Sequence, residues 1–139
     1  MIKAEVLGDA NFARRLGAAG KRVESHLQKR LNELGEEMVA EMQRLAPEDT
    51  GALRDSIRSE EGDKRPSVVI CAGGTVETAR PLASGHILDQ AVLVELGTVY
   101  VRPRPFFRPV VHEFTFRGRI SKVAGTAAGD AMVEIEGEP

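Results

Sequence analysis

The chain has 139 residues, 42% hydrophobic and 29% charged, with 19 basic and 21 acidic side chains and a formal charge of -2. That is enough for one domain with its own core. The near-neutral balance argues against a dedicated DNA binder, and 4% aromatics with no Trp argues against stacking on bases. One cysteine, Cys71, excludes an intramolecular disulfide, and neither a signal-type apolar leader nor a membrane-length apolar run is visible. A soluble protein is expected, used inside the cell or built there into something larger.

Residues 2 to 7 suit a short strand or an arm. Asp9 offers an N-cap for a short helix through Leu16, and Gly17 to Gly20 a break after it. Val23, Leu27, Leu31, Leu34, Met38, Met42 and Leu45 then recur at spacings of three and four. This predicts one amphipathic helix from about Lys21 to Leu45, ended by Pro47. Its charge order, with Lys21, Arg22, Lys29 and Arg30 early and Glu33, Glu36, Glu37 and Glu41 late, opposes the helix dipole. Intrahelical pairs would offset the cost; alternatively, a basic end meets a neighbour's acidic end. Gly35, inside the helix, is either tolerated or marks a kink or a close approach of another backbone.

Pro47 to Gly51 reads as a turn, and Asp49 or Thr50 as a cap for one helical turn through Ser56. Ile57 to Glu61 and Ser67 to Ala72 read as strands of a hairpin. Val68 to Cys71 are apolar on both faces, so this strand should be covered twice, by the long helix and by something else, such as a partner subunit. Gly73 to Gly85 reads as a long loop. Ile87 to Leu96 fits a strand or a short helix. Thr98 to Arg102 alternates and favours a strand. Pro105 could then open a final helix from Phe106 to Phe114. Beyond Gly118 the chain is broken by glycines and ends acidic. Within it, Ala131 to Glu136 could add a strand to another chain's sheet edge.

Catalytic chemistry leaves no trace in the sequence. His26, His86 and His112 are dispersed, Cys71 lacks a second thiol ligand, and Ala72-Gly73-Gly74-Thr75 lacks the lysine of a phosphate loop. Cys71 reads as an inert core thiol. No catalytic, cofactor-binding or metal site is expected.

Three motifs carry a resemblance. Leu45-Ala46-Pro47-Glu48-Asp49-Thr50-Gly51-Ala52-Leu53-Arg54-Asp55-Ser56-Ile57 follows the long helix, Val94-Glu95-Leu96-Gly97-Thr98 comes about 40 residues later, and Arg104-Pro105-Phe106-Phe107-Arg108-Pro109 completes the set. In this order they resemble the tail-component family of long-tailed bacteriophages, whose members are described as neck or tail-completion proteins. The minor tail protein Z of lambda-like phages is related in role. Two departures are visible: Gln90-Ala91-Val92-Leu93 stands where aromatics commonly precede the second motif, and the tail is glycine-broken.

The resemblance implies an α+β fold: a long amphipathic helix on a small antiparallel sheet, with a short C-terminal helix and an extended tail. Residues 1–117 read as the domain and 118–139 as a C-terminal extension, either a disordered terminus or a segment that orders only on assembly. The resemblance implies a homo-oligomeric ring, sixfold, between the head-side connector and the tail tube, with DNA passing through the axis, no cofactor and no catalysis. The positions carried over are Pro47, Asp49, Thr50, Gly51, Leu53, Ser56, Ile57, Glu95, Gly97, Thr98, Pro105, Phe106, Arg108 and Pro109. Glu95 and Arg108 could pair, within or between subunits, or stand as two independent surface charges, and Phe106 is expected to anchor the last segment in the core. The competing class is a nucleic-acid binder using Arg14, Arg15 and the basic start of the long helix, which predicts steeply salt-dependent binding.

Overall fold

The computed structural model describes residues 1–7, 20–49, 51–64 and 66–123. The expected helix from Asp9 to Leu16, the break after it, Arg14, Arg15, Thr50 and the strand from Ala131 to Glu136 lie outside the described residues.

The order is β1 (Ile2–Leu7), α1 (Gly20–Leu45), α2 (Ala52–Asp55), β2 (Arg58–Glu61), β3 (Ser67–Ala72), β4 (Ala79–Pro81), β5 (Ile87–Asp89), α3 (Gln90–Leu96) and α4 (Arg108–Phe116). The first three strands form an antiparallel sheet in the order β1-β3-β2, and β4 and β5 form a separate antiparallel ribbon. The class is α+β, a long helix on a small antiparallel sheet.

Helix α1, 26 residues and about 39 Å long, exists because its stripe has a sheet to bury against. Val23, Leu27, Leu31, Leu34, Met38 and Met42 are all nearly inaccessible. The stripe ends one residue away from the expected place, with Ala46 buried and Leu45 half out. Pro47 then prevents continuation. Arg30 pairs with Glu33 at 3.2 Å and Arg44 pairs with Glu41, so intrahelical pairs do offset the inverted charge order.

Strand β3 turns Val68, Ile70 and Ala72 toward α1, where they join its buried residues. Gly35 is the point of closest approach. A Cβ there would stand 2.9 Å from Val68 Cγ2 and 3.3 Å from Ser59 Cβ. The glycine is therefore a packing requirement of helix against sheet. Gln28 fixes the register: its Nε2 donates to the Ser67 carbonyl at 2.9 Å and its Oε1 accepts from the Ser67 N–H at 3.0 Å.

The second cover of β3 is local. Register places Cys71 between Lys3 and Arg58, and Val69 between Glu5 and Glu60. Long charged side chains lay aliphatic stems over apolar neighbours, and Cys71 is only 1% exposed within one chain. Val69 on the same face stays half-buried within one chain.

Two loops resolve differently from their sequence reading. The Gly73 to Gly85 stretch contains β4 and a turn in which Thr75 and Thr78 exchange hydrogen bonds. Thr98 to Arg102 is not a strand but an exposed loop, because its amides bond back within the loop. The final helix begins at Arg108, with Pro109 in its first turn in place of Pro105. After it, a helical turn over 119–123 lays Ile120 and Val123 on the Leu27–Leu31–Val68 cluster.

Candidate functional site

The three motifs meet at the C-terminal end of α1. Leu53 and Ile57 from the first, Val94 from the second and Phe106 and Phe107 from the third belong to one apolar cluster with Met38, Met42 and Val110. Phe106 is completely buried, and Phe107 meets it edge-on at 6.4 Å between centroids.

The first motif supplies the turn. Gly51 has φ +79, and α2 begins behind it without a side-chain cap bond, so Asp49 does not cap it. Ser56 is buried; its hydroxyl donates to the Leu53 carbonyl at 2.6 Å and accepts from the Gly73 N–H at 2.9 Å. This one oxygen ties α2 to the end of β3. Gln43 on α1 donates to the carbonyls of Arg54 and Ile57 from the other side.

The second and third motifs are held together by Glu95. Its carboxylate is 4% exposed. Oε2 accepts from the N–H groups of Phe106 and Phe107 at 2.9 and 3.0 Å, and Oε1 accepts from the Arg108 N–H at 2.9 Å. The Phe107 and Arg108 amides open α4 and have no partner inside the helix, and the Phe106 amide directly precedes it. A buried negative charge at that end also meets the positive pole of the helix dipole. The expected Glu95–Arg108 charge pair is not formed: Glu95 takes the backbone N–H of Arg108 instead of its guanidinium. The guanidinium stays exposed and has no ion pair among the described residues.

Between these anchors residues 97–105 form a projecting loop. Gly97 has φ +71 and ψ -176, and a Cβ there would stand 2.7 Å from the Val101 carbonyl oxygen and the Pro103 nitrogen. Only glycine combines that conformation with that contact. The Thr98 hydroxyl oxygen accepts from the Tyr100 and Val101 N–H groups at 3.2 and 3.0 Å, and the Thr98 N–H donates to the Val101 carbonyl at 2.9 Å. The Arg104 N–H donates to the Val94 carbonyl at 2.8 Å, closing the base. Pro103 and Pro105 restrict φ on the return path. The result is a pre-shaped loop whose tip, Val99 and Tyr100, is 95% exposed at both residues.

Beside the loop lies a groove of about 460 Å³ that brings motif residues Pro47, Asp49, Leu53 and Thr98 together with Arg102 and Arg104. Pro105, Arg108 and Pro109 lie outside it at the surface.

Asp89 was not singled out by motif reading. It caps α3 by accepting from the Ala91 N–H at 2.8 Å and also accepts from the Gly74 N–H. The aspartate immediately before an apolar run was the available signal. No group of three His, Cys, Asp or Glu able to hold a metal occurs among the described residues, and no described helix is long and apolar enough to cross a membrane. Burial, reinforced by nearby Glu60, pushes the Cys71 thiol above its ordinary pKa. That is the opposite of what an activated nucleophile needs.

Among known families, residues 10–97 match the one described as "Bacteriophage HK97-gp10, putative tail-component". The match takes in the first motif and the second as far as Gly97, while Thr98 and the third motif lie beyond it. No curated protein and no solved structure matches the chain. The matched span is more than half of the 139 residues, and the chain therefore belongs to the HK97-gp10-like family of bacteriophage tail components.

Proposed function

We propose that this tail component is a structural virion protein that closes into a ring, sixfold as the resemblance implies, at the head–tail junction. The ring joins the head-side connector to the tail tube around the DNA channel, and the protein has no catalytic role. The observation that carries this reading is how the motif residues are used. Glu95, Gly97, Thr98 and Phe106 build and brace a loop that holds Val99 and Tyr100 out in solvent. A rigid, apolar, tyrosine-tipped projection has the composition of a docking element, where Tyr and Arg dominate binding energy and pre-ordering reduces its entropic cost.

Electron microscopy of particles made without this gene tests the reading. Filled heads lying apart from tails are the expected result, and the tail length separates a connector from a terminator. Normal, joined and infectious particles overturn it.

A further inference from the structure

The loop that projects from the end of α1 is basic as well as apolar. Residues 96–112 contain Arg102, Arg104 and Arg108 and no acid. All three arginines are exposed and none has an ion pair among the described residues. The other arginines at this end are engaged, Arg54 with Glu48 and Arg44 with Glu41. A pre-shaped surface with three unneutralised guanidinium groups beside Val99, Tyr100 and Val101 fits a partner that is acidic and apolar in alternation.

The chain itself contains such a segment. Residues 124–139 hold Asp130, Glu134, Glu136 and Glu138 and no base, with Met132, Val133 and Ile135 interleaved. We propose that this acidic C-terminal segment of one copy docks on the Val99–Arg104 loop in a neighbouring copy, on the side away from Glu48 and Asp49. The proposal rests on the ring reading and names the contact that closes the ring.

The ring reading, rather than reach, favours a neighbour over the same chain. The described chain ends at Val123, which packs beside the middle of α1, against both the Leu27–Leu31–Val68 cluster and the main core. The loop and its groove sit beside Pro47, Asp49 and Leu53, past the C-terminal end of that helix. From Leu31 to Pro47 is about 24 Å at about 1.5 Å per residue. Donor and acceptor are thus different surfaces of the chain, as a head-to-tail interface requires. Sixteen further residues reach up to about 50 Å when extended, ample to cross into a neighbour. Opposite charges in the two segments also steer the encounter and select the pairing.

Tyr100 makes the test direct, because it is the only tyrosine and the chain has no tryptophan. Tyrosine emission therefore reports the loop alone. In full-length protein, acrylamide quenching of that emission is expected to be low at high protein concentration and to rise on dilution, in step with dissociation seen by sedimentation. Two full-length variants are then compared, Arg102→Glu with Arg104→Glu, and Glu134→Lys with Glu136→Lys. Each alone is expected to stay monomeric with Tyr100 quenched freely. Mixing them restores a loop–tail pair of opposite charge at every contact, so assembly and protection are expected to return. The altered arginines are exposed, and matching thermal melts check that folding is intact.

Concentration-independent protection of Tyr100 overturns the proposal in favour of docking within one chain. A wild-type ring unaffected by both variants overturns the proposal and leaves the ring reading standing. Monomers with free Tyr100 at every concentration overturn both.

Discussion

The carboxylate of Glu95 accepts the backbone N–H of Phe106 at 2.9 Å, eleven residues ahead of it in the chain, inside a region closed to water. This bond, with its companions at Phe107 and Arg108, makes the loop between them a fixed object. A buried charge with three backbone donors is stable in place, whereas the buried Phe106 and Phe107 donors without their acceptor are not.

Glu95→Ala is therefore expected to lower folding stability by roughly 3 kcal/mol, the range for removing a charged acceptor from buried donors. Glu95→Gln keeps one acceptor oxygen and should lose about half as much. Urea denaturation measures both. Equal stability of all three proteins would show that the leading amides of α4 find other partners.

Phe106 is fully buried at the meeting of the three motifs. Phe106→Ala should cost about 3 to 5 kcal/mol, the sum of lost transfer energy and an unfilled cavity. Val99→Ala, at a 95% exposed tip, should change the same melt by less than about 0.5 kcal/mol. A comparable loss from the two would contradict the division into anchor and tip.

Gly97→Ala places a methyl group against the backbone of Val101 and Pro103 in a conformation nearly confined to glycine. Strain of about 1 to 3 kcal/mol follows from the backbone alone. The loop should shift, so faster amide exchange at Tyr100, Val101 and Arg104 is the expected signature. Unchanged protection at those amides would refute the account of the loop as glycine-dependent.

Gly35→Ala sets helix propensity against packing. The gain of about 1 kcal/mol from propensity is opposed by a 2.9 Å approach to Val68 Cγ2, and overpacking costs about 1 to 3 kcal/mol. A net loss of about 1 kcal/mol is expected. Val68→Ala removes the opposing methyl, so the double variant should be more stable than the sum of the single losses predicts. Strict additivity in chemical denaturation would remove this contact as the reason for the glycine.

Cys71 has its pKa raised by burial, with Glu60 adding to the effect. The folded state thus holds the thiol proton more tightly than the unfolded state. This contribution is complete below the free thiol value near 8.5 and is lost as pH rises through the higher folded value. Stability should fall with alkaline pH in the wild type and less steeply in Cys71→Ala. A thiol reagent at pH 8 should label Cys71 only on unfolding, and fast labelling of native protein would contradict its burial.

The long helix, its stop at Pro47, the β2–β3 hairpin and the family motifs were legible in the sequence because each is encoded by near neighbours. Apolar spacing of three and four, a proline, or a turn between two apolar runs acts within a few residues. What each motif residue does was decided by contacts across the chain. Glu95 carries the marks of a surface charge until α4 presents three amides to it. Thr98 to Arg102 alternates like a strand, yet no sheet edge is placed to pair with it, so Thr98 satisfies the loop's own amides instead. Gly35 could be read as tolerated until Val68 and Ser59 are brought against it. The second face of β3 reads as a place for a partner, and side chains directly opposite on β1 and β2 cover Cys71 while leaving Val69 half-buried. Local pattern determined the elements. Long-range burial of polar groups, which must be satisfied wherever water is excluded, decided which residues brace the loop and which are left free to meet another surface.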